Sequence, residues 1–293
     1  ESLSTSDSET LLGALFGTSS LRLPEELRLR ILERAGGNPL FLEEMVRSLI
    51  AGGMLAQEHG EWVCRADADS VHVPLTIHGL LLARIDGLPA HARQAIQEAA
   101  VVGPVFSEDL LREVAADPES LDQALAVLVD AELLVDPSRA ARATQKSALS
   151  KGPASQATGA PHAAPMGAGT ERQYRFCHGL FHEVAYQNLL VRRRTELHTR
   201  IGEALERTCG TQPQRFEDLE ALAHHFRLST DKPRGARYLV AAGDRARAIY
   251  ANADAIRHFQ AALETLEPCG DCAADPLAVI ERLGDLLGPA GQR

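Results

Sequence analysis

Residues 24–49 read PEELRLRILERAGGNPLFLEEMVRSL, and this stretch decides the fold class. Its first half has the apolar spacing of a helix that begins at a proline, a residue suited to the first helical turn. The apolar face of that helix would consist of Leu27, Ile31 and Ala35. The second half repeats the spacing through Phe41, Met45 and Leu49. The stretch therefore predicts two short helices joined by a tight turn, in a mainly α chain.

The turn between these two helices is built from residues that have defined roles at helix ends. Gly36 and Gly37 can adopt the left-handed conformation that ends a helix. Asn38 can cap the next helix with its side chain, and Pro39 suits the first helical position. We interpret residues 1–56 as a helical subdomain.

The sequence of residues 57–210 predicts a winged-helix-like domain with a short β-hairpin. Residues 75–136 have the pattern of amphipathic helices with short strands, one of them at 133–135, and residues 174–176 would form the returning strand of the wing. Between these strands, residues 137–172 consist largely of Ala, Ser, Thr, Gly and Pro. Such a composition buries too little apolar surface to offset the entropy lost on ordering, so we expect a disordered wing loop.

Residues 211–293 form the third predicted domain. Small residues such as Ala236 alternate there with large ones such as Tyr238 and Phe259. This composition suits α-hairpins that stack as tetratricopeptide-like (TPR-like) repeats.

Charge and hydropathy exclude several classes of partner. The formal net charge is -10, which argues against nucleic acid as the main partner. From Glu113 to Asp136, where a winged helix would place its recognition helix, there are seven acidic residues and no basic one. This stretch would repel phosphates. Apolar runs are much shorter than the roughly 20 residues that span a bilayer, so no membrane insertion is expected.

Five cysteines are scattered along the chain without the spacing of a disulfide framework. This pattern indicates a reducing compartment, and we expect a cytoplasmic protein. Cys269 and Cys272 form a single C-x-x-C, which could be a redox pair or half of a zinc site. Because no second pair and no thioredoxin-like strand accompany it, we interpret it as an inert loop pair.

Three segments, taken together, resemble one family. They are GNPLFLEE at 37–44, VPLTI at 73–77 with RIDGL at 84–88, and FCH at 176–178 with EVAY at 183–186 and RTELH at 194–198. Their order and spacing are similar to the part of bacterial STAND or AAA-type signalling ATPases that follows the P-loop core. The tail from YAN at 250–252 resembles the first repeats of members that carry a class III adenylate cyclase domain.

The resemblance implies a regulatory module made of a helical lid, a winged helix and TPR-like repeats, preceded in the same chain by a P-loop domain. Such proteins switch between a closed ADP-bound form and an open ATP-bound form, with Mg accompanying the nucleotide. The repeats sense a protein or a ligand, and the module transmits the change. We accordingly expect a fragment of a larger protein, with an unidentified partner at its repeats.

Nucleotide hydrolysis by this chain alone is not expected. Phosphate binding in this family requires G-x-x-x-x-G-K-[ST], whose glycine loop and lysine hold the phosphates. The only lysines are Lys146, Lys151 and Lys232, and none follows a glycine. We assign no catalytic residue. We also assign no metal site, because His178 and His182 have the helical spacing of a ligand pair but two ligands are too few.

Two partial nucleotide contacts are implied by the resemblance. One is the turn Gly37-Asn38-Pro39, where the proline would pack against the adenine; the alternative is simply a well-formed helix start. The other is His178, which would reach the β-phosphate of ADP, although the family's Met-His-Asp pattern reads CHG at 177–179. The alternative for His178 is a structural histidine that caps the following helix.

Two further functions remain open at this point. The chain could belong to an ATP-dependent transcriptional regulator whose DNA-binding domain lies beyond residue 293. It could also be a protein-interaction scaffold with no nucleotide role. A P-loop before Glu1 would favour the signalling ATPase, and a basic helix-turn-helix downstream would favour the regulator.

Overall fold

A computed structural model describes residues 2–16, 21–22, 24–58, 61–65, 76–136, 172–266 and 276–287. The chain divides into two compact units, Glu1–Pro89 and Ala90–Arg293, and each is described by itself. Helices make up most of both units, and the strands are short, so the mainly α fold predicted from the sequence is confirmed.

The described part of the first unit combines helices with a small sheet. Its helices are α1 (Thr5–Leu15), α2 (Glu25–Ala35), α3 (Pro39–Ala51) and α4 (Ile77–Asp86), and its strands are β1 (Leu21–Arg22), β2 (Leu55–Glu58) and β3 (Glu61–Cys64). Strand β3 lies in the middle, parallel to β1 and antiparallel to β2. The apolar faces predicted for α2 and α3 are buried in one core, which includes Leu27, Ile31, Ala35, Phe41, Met45 and Leu49.

The β2–β3 hairpin is a feature that the helical spacing did not predict. Leu55 pairs with Cys64 and Gln57 with Trp62. The hairpin brings the indole of Trp62 edge-on to the ring of Phe16, with 5.5 Å between ring centroids. It therefore covers one end of the helical core.

The second unit begins with the element order of a winged helix. The described elements are α5 (Ala90–Val102), β4 (Val105–Ser107), α6 (Glu108–Val114), α7 (Leu121–Asp130), β5 (Leu134–Val135) and β6 (Gln173–Phe176). Strand β6 lies between β4 and β5 and is antiparallel to both. The strands predicted at 133–135 and 174–176 are thus confirmed. Ser107 caps α6, because its Oγ accepts a hydrogen bond from Leu110 N at 3.2 Å.

The remaining described helices form a stack. They are α8 (Gly179–Gln187), α9 (Val191–Cys209), α10 (Phe216–Leu228), α11 (Lys232–Ala248), α12 (Asn252–Leu266) and α13 (Pro276–Leu287). From α9 onward each helix packs on the next one, as expected for successive α-hairpins. Gly235 and Gly243 allow close approach: a Cβ there would lie 2.7 Å from Arg227 N and 2.5 Å from the Phe259 ring, respectively.

Some predictions concern regions that the structure does not test. The wing loop at 137–172, apart from Arg172, and the pair Cys269 and Cys272 lie outside the described residues. The division into domains 1–56, 57–210 and 211–293 stays a prediction. Within the described ranges, every helix is too short or too polar to span a bilayer.

Candidate functional site

The turn predicted to contact adenine lies between α2 and α3 in the first unit. Gly36 and Gly37 have φ values of 55° and 77°, in the left-handed region that favours glycine. The carbonyl oxygen of Gly37 accepts a hydrogen bond from Leu3 N at 2.7 Å. A Cβ on Gly37 would lie 2.4 Å from Leu3 O. The glycine at this position is therefore required by the turn and by the close approach of Leu3.

Asn38 and Pro39 start α3 as the sequence predicts. The Oδ1 atom of Asn38 accepts a hydrogen bond from Phe41 N at 3.2 Å, and Pro39 occupies the first helical position. Asn38 is exposed and Pro39 is half-buried. The side-chain oxygen of Asn38 is thus used by the helix start, whereas the ring of Pro39 keeps a partly open face.

Two of the segments that carry the family resemblance meet in the first unit. Glu44, from the GNPLFLEE segment, is buried on α3 and forms an ion pair with Arg84, from the RIDGL segment on α4. Arg47 approaches the same carboxylate at 3.9 Å. A cavity of about 310 Å³ lies beside this pair and is also lined by Leu80. The pair joins α3 to α4 and was not predicted from the sequence.

His178 lies in the second unit, directly before α8. Its neighbour Cys177 is anchored to the sheet region by a hydrogen bond from Cys177 N to Leu133 O at 2.9 Å. The carbonyl oxygen of His178 accepts a hydrogen bond from Phe181 N at 3.0 Å. Its imidazole is exposed and makes no capping hydrogen bond to the helix. The backbone of His178 therefore has a structural role, and its ring does not cap α8.

The predicted contact residues are distributed over both units. Gly37, Asn38 and Pro39 belong to the first, and His178 belongs to the second. Each set is defined within its own unit, and their combination into one nucleotide site stays a prediction.

His182, the other member of the i, i+4 histidine pair, is engaged with α5. Its Nε2 lies 2.9 Å from Ala100 O. Burial lowers the pKa of His182, although the hydrogen bond to Ala100 opposes that effect. Among the described residues, no group of three or more His, Cys, Asp or Glu side chains is arranged to hold a metal ion.

A chain of polar side chains, of which His198 and His225 are buried, follows His182 and was missed by the sequence interpretation. Tyr186 OH lies 3.0 Å from His198 Nε2, and His198 Nδ1 lies 3.0 Å from His225 Nδ1. These contacts link α8 to α9 and α9 to α10.

Burial lowers the pKa of His198 to about 4, with smaller effects from His224, Arg194 and Lys232. Burial also lowers the pKa of His225 well below its ordinary value, with contributions from His198 and His224.

The basic run at 192–194 is not the solvated turn that its composition suggests, because it forms the first turn of α9. Arg192 is exposed and pairs with Glu196 at 3.0 Å. Arg193 reaches back to Glu98 on α5, whose side chain is 3% exposed, with 3.0 Å between Nη2 and Oε1. The guanidinium of Arg194 lies over the Tyr186 ring, 5.0 Å from its centroid. Two of these three arginines therefore hold α9 to neighbouring helices.

Comparison with known proteins adds one match. Residues 4–62 match a protein family described as a domain of unknown function (DUF8739). The matched region spans α1, α2 and α3 and reaches into the β2–β3 hairpin, so it contains the Gly37-Asn38-Pro39 turn. No curated protein and no solved structure matches the chain.

Proposed function

We propose that this chain is the regulatory and transmitting part of a STAND-type signalling ATPase and that it does not hydrolyse nucleotide by itself. The observation that carries the proposal is the exposed imidazole of His178, which follows strand β6 and makes no capping hydrogen bond. An imidazole N–H can donate a charge-assisted hydrogen bond to a phosphate. The resemblance places a phosphate-binding histidine at this position of the chain.

The four residues fit an adenine nucleotide to different degrees. Gly37 and Asn38 are already used by the turn and by the start of α3. Pro39 offers a partly open apolar ring against which a base could pack, and His178 offers a donor for the β-phosphate. ADP or ATP with Mg would be the ligand, and the P-loop domain that we propose to precede this chain would supply the lysine and the metal site. Such an ATPase would work in the cytoplasm.

The contacts of the second unit suggest how a change at His178 would be transmitted. His178 lies at the start of α8, and α8 reaches α9 through the hydrogen bond between Tyr186 and His198. Helix α9 is joined to α10, the next helix of the stack, through His225. A partner bound at the repeats would bias the nucleotide state through the same helices, to the extent that it binds the two states with different affinity.

The test is ADP affinity in the longer protein that we expect to contain this chain. Replacing His178 by Ala should weaken ADP binding by roughly ten- to a hundred-fold, because a hydrogen bond to a charged group contributes about 1.5–3 kcal/mol. The matched control is His78→Ala, which removes another exposed histidine. Calorimetric titration of both variants with ADP gives the comparison.

Two outcomes would count against the proposal. An ADP dissociation constant that is unchanged in His178→Ala would remove the phosphate role of this residue. A coding sequence that contains no P-loop before Glu1 would remove the ATPase altogether.

A further inference from the structure

A surface cavity of about 480 Å³ lies between the α9–α10 connection and helix α11. Its walls are formed by residues 211–214 and by the side chains of Leu219, Arg237, Ala241 and Arg245. This volume is within the range of roughly 300–1,000 Å³ that is usual for small-molecule sites. The cavity is distinct from the residues implicated in nucleotide contact.

The charge of this cavity is opposite to that of the chain. Among the residues that the structure describes, two arginines line it and no acidic side chain does, although the whole chain has a formal net charge of -10. A second cavity, of about 380 Å³ beside α7, shows the contrast, because both signs of charge line it: Glu108, Asp122 and Asp136 with Arg112 and Arg172. The cavity at α11 therefore favours anions.

Arg245 is held in place by a backbone carbonyl group. Its Nη2 donates a hydrogen bond to the carbonyl oxygen of Gln214, which fixes the guanidinium against the α9–α10 connection. In the described part of the chain no carboxylate lies within ion-pair distance of Arg245, although the chain contains 40 acidic residues. A guanidinium has five N–H donors, so most of those on Arg245 remain available.

Arg237 also keeps donors for a ligand. Its Nη2 lies 3.5 Å from Glu206 Oε1. That carboxylate is already shared, because it accepts hydrogen bonds from Tyr238 OH and from Arg234 Nη1, the latter at 3.3 Å. The Arg237 side chain is 60% exposed, so its charge is only partly compensated.

We propose that this cavity binds a small organic dianion, with one acidic group on Arg237 and the other on Arg245. The two arginines are eight residues apart on α11, which is roughly 12 Å along the helix axis, a distance that two long side chains can shorten. Ala241 lies between them and, with Leu219, gives an apolar surface for a short hydrocarbon body. Carboxylate and phosphate share the planar, bidentate recognition that arginine provides. The site does not depend on the proposed nucleotide role.

Calorimetric titration of the complete chain at constant ionic strength tests this site. The probes are two dianions, adipate, which is a dicarboxylate, and hexanediol bis(methyl phosphate), which has a phosphodiester at each end, with butyrate as the monoanionic comparison. Arg245→Met and Arg237→Met each remove one guanidinium while keeping an apolar side chain of similar length. The matched control is Arg247→Met, on the same helix, which changes the net charge equally but removes a residue paired with Asp244 at 3.6 Å.

We expect saturable binding of at least one dianion, weakened about tenfold or more by Arg245→Met and by Arg237→Met and left unchanged by Arg247→Met. Preference for adipate or for the bis(methyl phosphate) identifies the acidic group. Equal loss in all three variants would mean a general charge effect and would overturn the site. So would the absence of saturable binding of either dianion up to about 10 mM.

Discussion

His198 and His225 face each other through their Nδ1 atoms, which lie 3.0 Å apart between α9 and α10. The two side chains are 1% and 5% exposed. A neutral imidazole carries one N–H, so one ring of the pair donates and the other accepts. Tyr186 OH, on the other nitrogen of His198, can donate or accept and therefore fits either arrangement. One proton added to this pair would place a positive charge in a buried position. A second proton would leave an N–H on both Nδ1 atoms, so that two donors face each other and neither nitrogen can accept.

This pair makes stability depend on pH in a defined direction. The unfolded chain binds protons at these histidines near pH 6.5, but burial lowers the folded-state pKa of His198 to about 4 and that of His225 well below its usual value. The free energy of unfolding therefore has its full value, as far as these groups are concerned, above about pH 6.5, and it decreases as the pH falls toward 4. His198 should contribute a loss of about 1.4 kcal/mol per pH unit within this window, and His225 should add a loss in the same direction. Urea unfolding followed by circular dichroism at several pH values measures the slope.

A double variant isolates the histidines responsible for the slope. Replacing both His198 and His225 by Leu removes the titrating groups together, so the loss of stability between about pH 7 and pH 5 should shrink. His78→Leu, at an exposed position, should leave the slope unchanged. A double variant with the slope of the wild type would show that these histidines do not carry the pH dependence.

Close helix packing at two glycines predicts a second set of stability changes. In Gly243→Ala the new Cβ would meet the Phe259 ring at 2.5 Å, and in Gly235→Ala it would meet the backbone of Phe226 and Arg227 at 2.7 Å. Overpacking of this kind costs about 1–3 kcal/mol, and Gly235→Ala should be the more severe because backbone cannot rotate away. Gly284→Ala, in helix α13 with nothing within 4 Å of its Cβ position, should be neutral or stabilising. Equal effects at all three sites in thermal unfolding would contradict the packing.

Local sequence signals predicted the fold well where one residue controls one feature. Asn38 caps α3 and Ser107 caps α6, as their positions before apolar-periodic stretches indicate. The β2–β3 hairpin was missed because its strands are only four residues long, which is too short for a period of two to be distinguished from the surrounding helical pattern. The only sequence signal for this hairpin was Gly60, a turn-forming residue between the two short stretches that become β2 and β3.

The roles of polar residues could be predicted less well from the sequence. Three consecutive arginines suggest an exposed, solvated face, yet Arg193 pairs with the buried Glu98. Its partner Glu98 is 95 residues away, and no local pattern connects the two. The contact between His198 and His225 spans 27 residues and has the same difficulty. Such pairs depend on how helices pack, which periodicity alone does not specify.

The ion pair between Glu98 and Arg193 gives the third prediction. Glu98 Oε1 accepts hydrogen bonds from Arg193 Nη2 at 3.0 Å and from Gln94 Nε2 at 3.2 Å, and Oε2 accepts one from Ala116 N at 3.2 Å. Because the carboxylate is buried, Arg193→Met leaves its charge uncompensated and should cost about 3 kcal/mol of unfolding free energy. Arg192→Met, at a position whose side chain is 92% exposed, should cost less than about 0.5 kcal/mol.

A double-mutant cycle separates the charge effect from lost packing. Glu98→Gln keeps an oxygen for Ala116 N and removes the charge that needs Arg193, so combining it with Arg193→Met should restore a large part of the stability. We therefore expect a favourable coupling energy of at least about 1 kcal/mol between the two positions. If the two single costs simply add, Arg193 acts through its apolar stem on α5, and the buried ion pair is not what fastens α9 to the winged-helix-like part.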